Sequence, residues 1–279
     1  MTHSALQPGG TAVVTGAASG IGLAASRRFA EMGLNVLMSD RPGKALDQAA
    51  EEVAALAGTR AQVQALAADV SQADQVVALR AAAFDRFGSV SVLMNNAAVG
   101  SNPGKPWENP EAWHALMDVN LWGVVHGVQA FTAAMLSSQQ PGLIINTGSK
   151  QGITLPPGNS AYNVSKAAVK AFTELLAHEL REAGGGVSAH LLIPGFTHTG
   201  MTGSAEKPDA AWSADQVIDF MLESLDRGDF YILCPDNAVA RTTDEQRMRW
   251  AMGDIIENRP ALSRWHPDYK DAFTKFMED

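Results

Sequence analysis

The sequence predicts an α/β fold: a doubly wound, mostly parallel sheet of seven strands with helices on both faces. Three observations predict it. Short apolar runs alternate with long helical patterns along most of the 279 residues, as in chains of βαβ units. The runs are apolar throughout, as strands covered on both faces must be. No internal repeat or low-complexity linker interrupts the alternation, so one domain is expected over 1–279, with a tail extension over 238–279. Right-handed crossovers then wind the helices onto both faces.

Each element follows in order. "TAVVT" (Thr11–Thr15) is the first strand, and Gly-rich sequence follows it. The next helix carries Ile21, Ala24, Ala25 and Phe29 at helical spacing and ends at Gly33. "LNVLMSD" (Leu34–Asp40) is the second strand. The helix after it turns Leu46, Ala50, Val53 and Leu56 inward. "AQVQALAAD" (Ala61–Asp69) is the third strand, and Ser71 N-caps a helix that runs to about Phe87. "VSVLMN" (Val90–Asn95) is the fourth strand, followed by a long helix from about Pro110 to Leu136. "GLIINTGS" is the fifth strand; "SAYNVSKAAVKAFTELLAHELREAG" is a long helix stopped by glycines 184–186. "VSAHLLIPG" is the sixth strand and "GDFYILC" the seventh. Residues 197–228 form a substrate loop and lid helix: Thr197–Trp212 is weakly periodic, and Ser213 with Gln216 makes a capping box before Val217, Ile218, Met221, Leu222 and Leu225. In the tail, Met248, Ala251, Met252 and Ile255 share one helix face.

Composition narrows the function classes. Hydrophobic residues make up 46%, enough for a sizeable core, and the formal net charge is −9, which argues against a nucleic-acid partner. No run approaches the length of a membrane-spanning helix, so no membrane partner is expected. The start has neither the charge nor the apolar stretch of a signal peptide. The single cysteine, Cys234, fits a reducing compartment, and a cytoplasmic location is expected. The histidines lack metal-ligand spacing, so no metal is expected.

"TGAASGIG" (Thr15–Gly22) lies between the first strand and its helix. Gly16, Gly20 and Gly22 let the backbone turn, approach a pyrophosphate and pack helix on strand, while the helix N-terminus offers free N–H groups to phosphate. Asp40 closes the second strand, where an acid accepts hydrogen bonds from an adenosine ribose and repels a 2′-phosphate; that favours NAD. Arg41 beside it could instead pair with that phosphate and favour NADP. Ser19, which is not a base, leans back towards NAD.

With these motifs in order, the sequence resembles the short-chain dehydrogenase/reductase family. The matching pieces are "TGAASGIG", Asp69–Val70, "NNAA" at Asn95–Ala98, Asn120, Ser149, "YNVSK" and "PGFTHT" at Pro194–Thr199; they cover Thr15 to Thr199, about two-thirds of the chain. Two positions depart from the usual pattern: Ala98 stands where Gly is common, and Gly148 where Ser is common. The resemblance implies a Rossmann-type fold and nicotinamide-dependent carbonyl/alcohol chemistry. It implies that Asp69 and Val70 bracket the adenine and that Asn96, with Ala97 beside it, lies along the cofactor. Ile21, Pro194, Gly195, Phe196, Thr197 and Thr199 complete the expected cofactor set.

The chemistry centres on Tyr162. Hydride exchange at a carbonyl needs a group that gives or takes a proton. An unperturbed phenol titrates near 10, too high for a base near neutrality. Lys166 on the next helical turn, and a positive nicotinamide, would lower that value. Ser149, thirteen residues upstream, can hold the substrate oxygen. The resemblance implies that Asn120 carries a proton-relay water by its backbone carbonyl or side chain, and that Lys166 also holds the nicotinamide ribose.

Substrate contacts are expected from Lys150, Gln151, Pro156, Asn159, Phe196, His198 and Met201, an amphipathic set typical of small-molecule pockets. Lys150 either attracts an anionic group or faces solvent. Trp250, Trp265, His266 and Tyr269 in the tail suit an interface, a lid edge or packing on the chain itself. A homodimer or homotetramer is expected, with Trp113, Trp122 and Phe131 either at its surface or in the core. The leading reading is an NAD-dependent oxidoreductase acting on a secondary alcohol or ketone. An epimerase, isomerase or dehydratase with recycled NAD, or a non-catalytic NAD(P)H sensor, would carry the same nucleotide turn.

Overall fold

The apolar runs form strands where expected: β1 (Thr11–Thr15), β2 (Asn35–Asp40), β3 (Val63–Ala67), β4 (Val92–Asn95), β5 (Gly142–Thr147), β6 (Val187–Ile193) and β7 (Tyr231–Leu233). The helices are α1 (Gly20–Glu31), α2 (Lys44–Ala57), α3 (Ala73–Phe87), α4 (Pro110–Met117), α5 (Gly123–Ser137), α6 (Gln151–Thr154), α7 (Ser160–Ala183), α8 (Ala214–Asp226), α9 (Arg241–Ile256) and α10 (Lys270–Glu278). This computed structural model describes residues 3–202 and 206–278. Part of the loop before α8, residues 203–205, therefore lies outside the described residues.

All seven strands pair in parallel, in the order β3-β2-β1-β4-β5-β6-β7. Successive side chains of a strand point to opposite faces. In register, Leu37, Val13, Leu93 and Ile144 form a row across the sheet on one face, and Met38, Val14, Met94 and Ile145 form the next row on the other. The first row packs with α3, α5 and α7 through Val76, Leu79, Val128, Phe131 and Leu180. The second packs with α1, α2 and α8 through Phe29, Val53, Ile218 and Met221. The order reverses between β1 and β4, which opens a crevice at their carboxyl ends.

Several local expectations are corrected. Leu56 is 38% exposed and Ala57 takes its place, four residues after Val53 on the same helical face. Ser71 does not cap: α3 begins one residue later, after Gln72, and the Ser71 N–H is held by Asp69 Oδ1 at 2.9 Å. The helix expected over 110–136 contains a π-turn at Asp118–Trp122. The stretch Pro110–Ser137 is also long and apolar enough to cross a membrane, against expectation. Its apolarity has a local cause: Val124, Val128, Phe131 and Met135 are buried against the sheet and its neighbours.

In the tail, Met252 and Ile255 face outward at 55% and 77% exposure, while Trp250 and Gly253 are buried. Of the predicted stripe, Met248 packs on the core, while the rest of the tail gathers on Trp250. Trp250 lies under Arg259 at 4.0 Å, meets Phe273 and Phe276 at 5.2 Å each, and donates to Ser263 Oγ at 2.8 Å. Phe131 is core, whereas Trp122 is half exposed. The ends of the loop before α8 are tied by Trp212 N–H to Phe196 O and His198 N–H to Trp212 O.

Candidate active site

The crevice is a cleft of about 850 Å³, roomy enough for a dinucleotide and a small substrate. One end is built at the carboxyl ends of β1, β2 and β3. Gly16, Ser19, Gly20 and Ile21 line it with Asp40, Arg41, Asp69 and Val70. Gly22 lies beneath the turn instead: a Cβ there would stand 2.1 Å from Gly16 O, so only glycine lets α1 approach the strand this closely. Asp40 is held by two backbone donors, Ala18 N–H on Oδ2 at 3.0 Å and Arg41 N–H on Oδ1 at 2.8 Å. A carboxylate accepts about four hydrogen bonds, which leaves capacity for ribose hydroxyls. The tight turn, the free start of α1 and the acid at the end of β2 fit a nicotinamide dinucleotide.

The floor is a polar stitch across three strands. Asn96 donates from Nδ2 to Thr15 O at 3.1 Å and accepts on Oδ1 from Thr147 Oγ1 at 3.3 Å, while its N–H donates to Thr15 Oγ1 at 3.0 Å. Ala97 lines the cleft beside it. Below, Asn95 Nδ2 donates to Asn146 Oδ1 and Asn146 Nδ2 to Thr173 Oγ1, joining β4 and β5 to α7.

Ser149, Tyr162 and Lys166 converge at the carboxyl end of β5. Asn159 Oδ1 accepts from Tyr162 N–H at 3.2 Å and so caps α7 where the phenol must stand. The Ser149 hydroxyl lies close enough to the Tyr162 phenol to act on its titration. Burial raises the phenol's pKa above its ordinary value, and the Ser149 hydroxyl acts in the opposite, smaller sense. Depression by the neighbouring ammonium, expected from the i,i+4 spacing, is not found. Lys166 instead turns Nζ to Thr147 O at 2.8 Å, 5.8 Å from the Tyr162 ring centroid. Its burial lowers its own pKa to about 8.

Asn120 sits in the π-turn, fully buried. Its side chain is committed: Oδ1 accepts from Val99 N–H at 2.8 Å, and Nδ2 donates to Val99 O and to Ser165 Oγ. Of the two relay routes expected, the side chain is thus occupied and the backbone carbonyl is left. π-turns open the regular carbonyl ladder and recur at functional sites.

Pro194, Gly195, Phe196, Thr197 and Thr199 form the opposite wall with Met201. The end near Ser149 combines apolar Val99, Gly100, Phe196 and Met201 with Gln151 and Asn159. Asn159 lines the cleft, but its amide is occupied by the cap and by Ser101 O. His198 and Pro156 do not line it, although both were expected there. Lys150 neither faces solvent nor stands ready for an anion: it pairs with Asp236 at 3.2 Å and Asp244 at 2.6 Å. Sequence reasoning missed these two acids. It gave no role to Thr15, Thr147 or Val99; Thr15 opens the "TGAASGIG" motif and Thr147 ends a strand two residues before Ser149, which is the signal that could have found them.

The short chain dehydrogenase family model matches residues 10–210. This chain belongs to the short-chain dehydrogenase/reductase family. It is 36% identical over 261 residues to the 1-deoxy-11-beta-hydroxypentalenate dehydrogenase of Streptomyces exfoliatus, covering 91% of this chain and 93% of that one. The crystal structure of a short-chain dehydrogenase/reductase from Burkholderia phymatum in complex with NAD superposes with a TM-score of 0.82 at 31% identity, covering 93% of this chain and 97% of that one. A metagenomic short-chain oxidoreductase in complex with NADP has a TM-score of 0.68 at 30% identity, covering 82% of this chain and 98% of that one. Family and Rossmann-type fold agree with the sequence reading.

Proposed function

We propose that the protein is an NAD-preferring oxidoreductase that interconverts a secondary alcohol and a ketone. One observation supports this reading: Ser149, Tyr162 and Lys166 line the same cleft at the sheet's switch point, with the Ser149 hydroxyl beside the phenol. When bound, the nicotinamide ring supplies the hydride acceptor or donor. Tyr162 takes the alcohol proton in oxidation and returns it in reduction. Ser149 holds the substrate oxygen as charge develops on it. Lys166, fixed by Thr147 O, orients the nicotinamide ribose and keeps a positive charge near the phenol. The Asn120 carbonyl holds the water through which the proton leaves. Val99, Phe196 and Met201 receive an apolar skeleton. The Streptomyces exfoliatus relative, named for dehydrogenating a hydroxylated compound, supports the alcohol as substrate.

The preference for NAD rests on Asp40, whose carboxylate faces the nucleotide turn and opposes a 2′-phosphate. Neighbouring family structures hold either NAD or NADP, so the acid and not the fold carries the choice. NAD should be preferred by about tenfold or more in kcat/KM; equal values would refute the role of Asp40. Tyr162→Phe should abolish turnover and leave NADH affinity nearly unchanged; a turnover close to that of the parent protein would refute the mechanism. Exposed Trp122 in the π-turn and Val164 and Leu175 on α7 provide the face for a homodimer or homotetramer, which light scattering of the purified protein tests.

A further inference from the structure

The C-terminal extension reaches the site through one cation. Lys150, the residue after Ser149, sets its ammonium between Asp236 Oδ2 at 3.2 Å and Asp244 Oδ2 at 2.6 Å. All three side chains are largely buried, at 16%, 4% and 7% exposure. Asp236 follows β7, and Asp244 lies in the first turn of α9.

Each member is tied to the catalytic side of the cleft. Asp236 Oδ2 also accepts from Phe196 N–H at 3.2 Å, and its Oδ1 accepts from Ala238 and Val239 N–H at 3.1 and 2.8 Å. The Lys150 N–H donates to Pro194 O at 3.3 Å, and the Lys150 carbonyl accepts from Ile153 and Thr154 in α6. Ser149 Oγ in turn accepts from Gln151 N–H at 3.2 Å, so its hydroxyl is oriented by the turn that Lys150 anchors. The space is filled: a Cβ on Gly195 would stand 2.6 Å from Asp236 Oδ2 and 2.9 Å from Lys150 Nζ. Two acids flank the ammonium, and Asp244 also feels the charge of Arg264. A neutral apolar contact would hold a tail in place at least as well, so such a cluster points to fixed geometry rather than to stability.

We propose that Lys150, Asp236 and Asp244 form a positioning clamp that fixes Ser149 against the Phe196 backbone, making the C-terminal extension a working part of the active site. The proposal rests on the alcohol/ketone reading for the role of Ser149. The three residues act through Ser149 and Phe196 and not on the reacting atoms.

Lys150→Met alone leaves two carboxylates facing each other in a buried site. The informative protein is therefore the neutral variant Lys150→Met/Asp236→Asn/Asp244→Asn, with Asp244→Asn as a milder second variant and Lys150→Arg as the conservative one. The probes are NADH, followed by its fluorescence on binding, and initial rates with NAD and cyclohexanol or 2-butanol. In the neutral variant kcat should fall about tenfold and the NADH Kd rise about threefold, with the alcohol KM moved by less than about twofold. Asp244→Asn should show the same pattern at about half that size on a logarithmic scale, and Lys150→Arg should restore most of both. A folded neutral variant, or Asp244→Asn where that variant does not fold, with kcat and NADH Kd both within about twofold of the parent overturns the clamp. NADH affinity decides the matter if neither alcohol is turned over. Tyr162→Phe separates the two readings. If it stays active, the alcohol/ketone mechanism fails; if it is inactive beside an unimpaired neutral variant, the clamp alone fails.

Discussion

Replacing Lys166 with methionine removes a buried ammonium while keeping nearly the same volume, which isolates the charge. Burial lowers the Lys166 pKa from 10.5 to about 8. At about 1.4 kcal/mol per unit, holding this charge costs the folded state about 3 kcal/mol at neutral pH. The sign follows from proton binding. The unfolded chain keeps the proton up to its pKa of 10.5, whereas the folded chain releases it above about 8. The unfolded state therefore binds more protons in that window, and stability rises with pH through it. Between pH 7 and 9 the parent protein should gain about 1 kcal/mol from this group, or about 2–4 °C in Tm for a chain of this size. Lys166→Met should gain nothing from it. The variant also loses the 2.8 Å bond to Thr147 O, a charge-assisted contact of about 1.5–3 kcal/mol. The two terms nearly offset, so at pH 7 the variant should lie within about 2 kcal/mol of the parent, yet bind NADH poorly. Urea denaturation of both proteins at pH 7, 8 and 9, with NADH fluorescence alongside, measures each quantity. Identical pH dependence in the two proteins would refute the assignment of a depressed, buried lysine.

Three further outcomes follow from geometry already described. Gly22→Ala forces a methyl against Gly16 O and should cost about 1–3 kcal/mol in chemical denaturation, together with weaker NADH binding. Trp250→Ala empties the centre of the tail and should cost about 3–5 kcal/mol, read as a lower Tm or as a separate early transition. Because burial keeps the Tyr162 phenol protonated near neutrality, kcat/KM for alcohol oxidation should climb from pH 7 to 9 while ketone reduction stays level; the reverse pattern in initial rates would remove Tyr162 as the proton carrier.

Much of the scaffold was legible because it is written in short-range patterns. Apolar runs mark the strands, and the sheet's two faces follow from the period of two along Val13–Val14 and Leu37–Met38. Ser149, Tyr162 and Lys166 come together because one strand end and one helix start carry all three. What stayed hidden depends on contacts remote in sequence. Lys150 meets Asp236 across 86 positions, and nothing local announces that pairing. The i,i+4 rule brings Lys166 near Tyr162 but does not specify which acceptor its ammonium takes, and Thr147 O takes it. Met252 and Ile255 of the tail's apolar stripe face outward because Trp250 collects Arg259, Phe273 and Phe276 from later in the chain, whereas Met248 packs on the core as expected.

The π-turn at Asp118–Trp122 has a consequence for the lengths this chain tolerates. A π-turn holds one residue more than an α-turn, and each residue advances a helix by about 100°. The apolar stripes of α4 and α5 are therefore out of phase: Leu116 faces inward on one count, and Val124, Val128 and Phe131 on another. Deleting Asp118, Val119, Leu121 or Trp122 would leave a straighter, more regular helix. It would also swing α4 around its axis and draw Asn120 away from Val99. What looks like the interior of an ordinary helix is a segment whose residue count sets the phase between α4 and α5.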